Sequence, residues 1–198
     1  IITMKAVILA GGLGTRLSEE TQLKPKPMVE IGDKPIIWHI MKIYNSYGIK
    51  DFIILGGYKV EIIKQYFLNY NSLSSDITVN LKNGNIKIHN AHCEDWNVTI
   101  LDTGKDTMTG ARIAKAKNII GNNTFLLTYG DGVGDINIEK LIEMHRNYNA
   151  IVTLTSAQPD GRFGALKFND TMKIEKFEEK PKGDGSWING GFFVLEPS

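Results

Sequence analysis

The sequence predicts an α/β protein, doubly wound about a mainly parallel sheet, and three observations carry that expectation. Short apolar runs alternate with stretches of helical period along most of the chain. The first apolar run opens directly onto a glycine loop, and after Gly161 the texture changes to short strands. Strands separated by helices of about 10–15 residues need crossover connections, which join parallel neighbours.

The elements follow in order. KAVILA, up to Ala10, is apolar throughout and suits a buried strand. KPIIWHIMKIYNSYG places Ile36, Ile37, Ile40, Met41 and Tyr44 at helical spacing, and Gly48 is a natural stop. DFIILGGY is a second strand and VEIIKQYFLNY a second helix. NVTILDT reads as a strand and TGARIAKAKNII as a short helix. TFLLTYGDG is a strand running into a loop, INIEKLIEMHRNY the next helix, with Asp135 its expected cap, and AIVTLTSA a further strand. Beyond Gly161, FGALKF, KIEKFEEK and INGGFFVL are expected to form a small antiparallel extension beside the site. One domain over residues 4–198 is expected, its core at 4–150 and the extension's part at 151–198. Ile1 to Thr3 are read as preceding a natural start at Met4, and a C-terminal part is expected beyond Ser198.

Composition narrows the function. Of 198 residues, 42% are hydrophobic and 23% charged, ordinary for a globular chain with a sizeable core. A net charge of +1 argues against a general nucleic-acid surface, so any basic site must be local. The single Cys93 cannot form an internal disulfide, which favours a reducing cytoplasm. No apolar run reaches the roughly 18 residues of a membrane span. His89 and His92 have H-x-x-H spacing beside Cys93, but no second ligand pair accompanies them, so zinc is not expected.

The stretch GGLGTRLSEETQLKPKP holds the densest chemistry. Glycines at 11, 12 and 14 remove side chains where a ligand can lie against the backbone, and Arg16, Lys24 and Lys26 follow. A strand, a glycine loop and nearby cations are the parts of a polyphosphate site. No Lys-Ser/Thr pair stands where a P-loop needs one. The third glycine of a dinucleotide loop is replaced by Leu17, and the second strand ends in LGGYK without an acid for a ribose. What remains is G-x-G-T-R, nine residues and a Lys, met by Gly12, Gly14, Thr15, Arg16 and Lys26. Backbone amides after Gly11 suit phosphates, and the two cations neutralise charge from two sides. Asp131 sits just past an apolar strand between Gly130 and Gly132, where a carboxylate can hold Mg2+ or simply turn the chain.

At these residues the sequence resembles the sugar-phosphate nucleotidyltransferase family, and the likeness spans essentially Met4 to Ser198. It implies a Rossmann-like core with a small antiparallel sugar-binding extension. It implies that Arg16 meets the leaving pyrophosphate, Lys26 the α- and β-phosphates, and Asp131 the metal. The nucleotide would lie over Leu9, Ala10, Gly11, Gly12, Leu13, Gly14 and Thr15. Thr107 would accept from or donate to a pyrimidine edge, Gly110 would admit the base, and Arg112 would donate to its carbonyl or to the triphosphate. Helix capping and a solvated helix face are the plain alternatives for Thr107 and Arg112.

On the other substrate, Gly164 would let a hexose approach, Glu179 and Asn189 would hold its hydroxyls, and Lys180 would pair with its phosphate. The blocks KPKPM, TGARI, LLTYGDG, GRFGAL and EKPKGDG look like those of members that move a cytidylyl group onto glucose 1-phosphate. CTP and glucose 1-phosphate are therefore the expected substrates, Mg2+ the expected cofactor, and a homo-oligomer the expected assembly. A second metal-binding Asp is expected beyond Ser198. Thymidylyl or uridylyl transfer to a hexose 1-phosphate stays open. A non-catalytic regulatory subunit of this fold would have lost Arg16, Lys26 or Asp131, and all three are present.

Overall fold

The computed structural model describes residues 4–12, 24–161, 165–182 and 186–197. Strand β1 (Lys5–Ala10) is followed by a 3-10 turn at Lys26–Met28, the short pair β2 (Glu30–Ile31) and β3 (Lys34–Pro35), and helix α1 (Ile36–Ser46). Next come β4 (Asp51–Gly56), α2 (Val60–Leu68), α3 (Tyr70–Leu73), β5 (Asp76–Val79), β6 (Ile86–His89) and β7 (Asn97–Asp102). Helices α4 (Thr109–Lys115) and α5 (Lys117–Ile120), strand β8 (Phe125–Tyr129), α6 (Ile138–Asn147) and β9 (Val152–Ala157) complete the larger part. The last strands are β10 (Ala165–Phe168), β11 (Ile174–Glu178) and β12 (Ile188–Leu195).

The central sheet has six strands in the order β7-β4-β1-β8-β12-β9, and its first four are mutually parallel. Successive strand residues point to opposite faces, and each face has its own core. On one, Ala6 and Ile8 of β1, with Phe52 and Ile54 of β4, pack under Ile37, Ile40 and Tyr44 of α1 and Ile142 of α6. On the other, Val7, Ile53 and Leu55 meet Ala116 and Ile120. Helices on both faces make the sheet doubly wound, as the alternating pattern predicts.

Two expectations need adjusting, and one hairpin adds to them. INGGFFVL does not stand apart in the extension: β12 lies inside the central sheet, antiparallel to both β8 and β9. Its FFVL run explains the placement, because Phe192 and Val194 enter one core while Phe193 and Leu195 pack against the other. The cap of α6 is Asn137, whose Oδ1 accepts from the Lys140 amide at 2.8 Å, and not Asp135. The β5–β6 hairpin was missed, although Asn83-Gly84 between alternating residues is its signal; Gly84 takes φ +74° there.

Candidate active site

The parallel strands end level with one another. Ala10 of β1 pairs with Gly56 of β4, Gly56 pairs with Asp102 of β7, and Leu9 pairs with Tyr129 of β8. Ligands of open α/β sheets bind outside such carboxyl ends. The cleft here, of about 260 Å3, is lined by Leu9, Ala10, Gly11, Gly12, Lys26, Thr107, Arg112 and Asp131, together with Pro27, Met108, Thr109 and Tyr129. A larger hollow of about 520 Å3 lies between α2 and β7, against Phe67, Tyr70 and Trp96. None of the described motif residues line it, so size does not mark the site.

Lys26 is held by its neighbours. Pro27 and Met28 are buried, the Met28 amide donates to Pro25 O at 2.8 Å, and the Val29 amide to Lys26 O at 3.0 Å. The lysine Nζ lies 3.5 Å from Asp131 Oδ2, with both side chains partly exposed. A cation and a carboxylate thus face each other across the cleft. Gly130 makes the approach possible: a Cβ there would sit 2.9 Å from both Leu9 O and Pro27 Cγ. Its amide donates to Leu9 O at 2.8 Å, tying the Asp131 loop to β1.

The two glycines after β1 serve different ends. Among the described residues a Cβ on Gly12 would meet nothing within 4 Å, so none of them covers the backbone there. A Cβ on Gly11 would fall 2.2 Å from Arg112 Cζ. Gly11 is therefore small to admit a protein side chain, not a ligand.

Arg112 is the least expected feature. Only 6% exposed, it is no solvated helix residue. Its Nη1 donates to Thr103 Oγ1 and to Gly104 O at 2.6 Å each, with Gly56 O at 3.3 Å. Its Nη2 donates to Gly11 O and Lys105 O at 3.0 Å each. The Nη hydrogens expected for a base or a triphosphate are thus given to the chain. Arg112 clips the ends of β1, β4 and β7 together beneath the cleft. Burial lowers its pKa, and the charges of Asp102 and Asp106 oppose that shift; a guanidinium stays protonated regardless.

Thr107 lines the cleft, but its hydroxyl donates to Thr103 O at 2.6 Å, which removes the expected donor role. It is not a helix cap either, since α4 begins after Met108. Gly110 is not brought to the cleft: it lines a separate hollow with Ile113, Ala114 and Lys117, and among the described residues a Cβ there would meet nothing within 4 Å.

Asn189, at the start of β12, donates from Nδ2 to the Tyr129 hydroxyl at 3.3 Å and accepts from the Gly191 amide at 2.8 Å. Tyr129 is thus the bridge between the cleft and Asn189, and sequence reasoning passed it over. Its position two residues before Asp131 on a strand end was the available signal. Glu179 and Lys180 are exposed just past β11 and do not line the cleft. Leu13, Gly14, Thr15, Arg16 and Gly164 lie outside the described residues.

Among the described residues no three His, Cys, Asp or Glu side chains gather as a metal cluster. A lone strand-end carboxylate still fits magnesium, which commonly takes one or two carboxylates and completes its shell with phosphate and water oxygens.

Comparison with known proteins agrees with this fold. The chain belongs to the nucleotidyl transferase family, whose model matches residues 5–198, and is accordingly an enzyme of that class. It is 56% identical over 196 residues to the glucose-1-phosphate cytidylyltransferase of Salmonella typhimurium, covering 98% of this chain and 76% of that protein. It is 50% identical over 194 residues to the probable glucose-1-phosphate cytidylyltransferase of Bacillus subtilis, covering 98% and 75%. Among solved structures, HddC from Yersinia pseudotuberculosis superimposes with a TM-score of 0.67 at 24% identity, over 98% of this chain and 77% of that one. A putative glucose-1-phosphate thymidylyltransferase from Bacillus anthracis gives 0.68 at 21%, over 98% and 72%. Those two likenesses speak for the fold. Enzymes of this family generally use a divalent metal. Among the described residues no helix is long and apolar enough to cross a membrane.

Proposed function

We propose that this chain transfers the cytidylyl group of CTP to glucose 1-phosphate, giving CDP-glucose and pyrophosphate. One observation carries the reading: Lys26 and Asp131 oppose each other at 3.5 Å beside the backbone of Gly12. The choice of substrates draws on the two relatives named as glucose-1-phosphate cytidylyltransferases.

A phosphate oxygen of the sugar phosphate attacks the α-phosphorus, and the bond to the β-phosphate oxygen breaks in line with it. The substrate supplies the nucleophile, so the protein positions and neutralises charge. Lys26 takes the α- and β-phosphates, and Arg16 takes the departing pyrophosphate by its place in the motif. Leu9 to Thr15 carry the nucleotide along their backbone, and Thr107 meets the base. Arg112 acts from beneath, fixing Gly11 rather than touching substrate. Asp131 is the residue that would hold Mg2+, which when bound offsets charge between the α-phosphate and the leaving group.

On the sugar side Asn189 is held ready by Tyr129, with Gly164, Glu179 and Lys180 completing the sugar-phosphate site. Residues 4–150 form the nucleotide part and 151–198 the sugar-phosphate part of one domain. A cytoplasmic homo-oligomer is the setting that the lone Cys93 and the family resemblance favour.

The test is calorimetric titration with CTP, UTP, dTTP and ATP in Mg2+, followed by pyrophosphate release with glucose 1-phosphate. Preference for CTP supports the reading. Equal binding of the pyrimidine triphosphates removes the base assignment, and no binding by any of them overturns the site.

A further inference from the structure

We propose that the apolar face of the β5–β6 hairpin is a contact between two copies of this chain, packed face to face about a twofold axis with root over tip. This rests on the homo-oligomer reading above and gives its contact a place on the molecule.

Alternation divides the hairpin into two unlike faces. Asp76 pairs with His89 and Thr78 with Lys87 on one face, and Ile77 pairs with Ile88 and Val79 with Ile86 on the other. The polar face satisfies itself: Thr78 Oγ1 and His89 Nε2 lie 3.0 Å apart, and Asn90 Nδ2 donates to Asp76 Oδ2 at 3.2 Å. The other face is β-branched and uncharged, yet its side chains are between 39% and 57% exposed, and neither core includes them. The hairpin is a two-stranded sheet that pairs with no other described strand. Such a hairpin is marginal in water by itself and gains stability by laying its apolar face on a further layer.

The ends of the hairpin say what that layer is. Leu73, just before the root, is 78% exposed, and Leu81, in the turn, 92%. Charge is divided along the same direction, with Asp76 at the root, Lys82 in the turn and Lys87 on the returning strand. A twofold axis through the middle of the face lays each root on the other's tip. The Ile77–Ile88 pair then covers the slimmer Val79–Ile86 pair, and Leu81 of each copy comes toward the other's Leu73. The acidic root of each copy meets the other's lysine end, whereas parallel stacking sets like charges together. Any other partner needs a flat β-branched face with the reverse order of charge; a second copy has it already. Two sheets packed in this way stand about 10 Å apart and close a small core between them.

Sedimentation equilibrium of the whole chain measures the contact. The wild type should sediment at an even multiple of the chain mass of 22.1 kDa. Ile77→Asp and Ile86→Asp should each raise the Kd of the pair about a hundredfold or more, by leaving an unpaired charge in a buried apolar contact. Asp76→Lys should raise it several-fold and the added Lys82→Glu should restore it, which a local loss of hairpin structure would not do. Where Ile77→Asp or Ile86→Asp loses its cooperative melt, Leu81→Asp decides, because a side chain 92% exposed in the single chain holds no fold together. It should weaken the pair about tenfold, the scale of one lost buried leucine. A wild type that stays a monomer overturns the homo-oligomer reading and this inference together. An odd multiple of the chain mass, or an assembly that survives all three aspartate variants, overturns this inference alone.

Discussion

The cleft at the sheet's carboxyl edge and the β10–β11 hairpin are built in opposite ways. Around the cleft, the ends of β1 and β4 are paired on both sides, Arg112 is buried among five acceptors, and Gly130 allows backbone to lie against backbone. In the hairpin every residue of β11 is exposed, and of β10 only Ala165 is partly covered. It is held instead by its own turn, where Asn169 Oδ1 accepts from the amides of Thr171 and Lys173 at 3.0 Å each. Polyphosphate chemistry demands groups fixed before the substrate arrives, and a core supplies that rigidity. A hydroxylated sugar can be met by groups that stand in solvent and are checked mainly by their local turn.

The largest effect expected from breaking the cleft is at Lys26. Lys26→Ala should reduce kcat by about 2–4 kcal/mol of transition-state stabilisation with a much smaller change in KM, read by steady-state kinetics. An unchanged kcat removes Lys26 from the chemistry. Arg112→Met should cost about 3 kcal/mol in urea unfolding, because it orphans buried carbonyls from three strand ends. Arg112→Lys should recover little of it, since three donors on one nitrogen cannot reach acceptors on both sides of a planar fork. On the hairpin side, Lys180→Ala should raise KM for glucose 1-phosphate by roughly tenfold, as for a lost charge-assisted bond, and shift unfolding by less than about 0.5 kcal/mol. A matching rise in KM for CTP would dissolve the division between the two regions.

A pH titration sharpens the same contrast. Burial pushes the Tyr66 hydroxyl up to about 12, helped by the charges of Glu94, Asp33 and Glu30. Burial also raises Tyr44, and Tyr70 rises through burial and its hydrogen bond with Glu94. In the unfolded chain a tyrosine loses its proton near the ordinary value of 10.0, so above that pH the folded state binds more protons. Stability should be fully present below pH 10 and decline as pH rises through about 12, as followed by chemical denaturation. All three tyrosines lie on α1–α3, and β10 and β11 contain none, so loosening should begin beside the first core. A stability that stays unchanged as pH rises through about 12 would contradict that origin.

The fold class was legible because buried strands and amphipathic helices write period and length into the sequence. FFVL misled for a physical reason: an apolar run says buried on both faces, but not between which neighbours. The placement of Lys26 and Asp131 at the cleft was legible as well, since a cation at fixed distance from a glycine loop and an acid at a strand end are local patterns. Arg112 was not. Its role depends on five acceptors contributed by residues 11, 56, 103, 104 and 105, and no spacing along the chain announces that they converge. The donation of the Thr107 hydroxyl to Thr103 O was hidden likewise, because it depends on where that carbonyl stands.

Strand β12 leaves β9 by a long excursion and returns to its side. Ile188 pairs with Ala157 and Asn189 with Ser156, so the thirty or so residues between are rooted at two adjoining points of one sheet. Such a segment is a cassette. Its contents can be exchanged or lengthened without moving Asn189 relative to Tyr129, because the anchoring pairs belong to the sheet and not to the insert. On the proposed division of the chain, the sugar accepted is set by this one excursion, while the strand ends that line the cleft stay as they are.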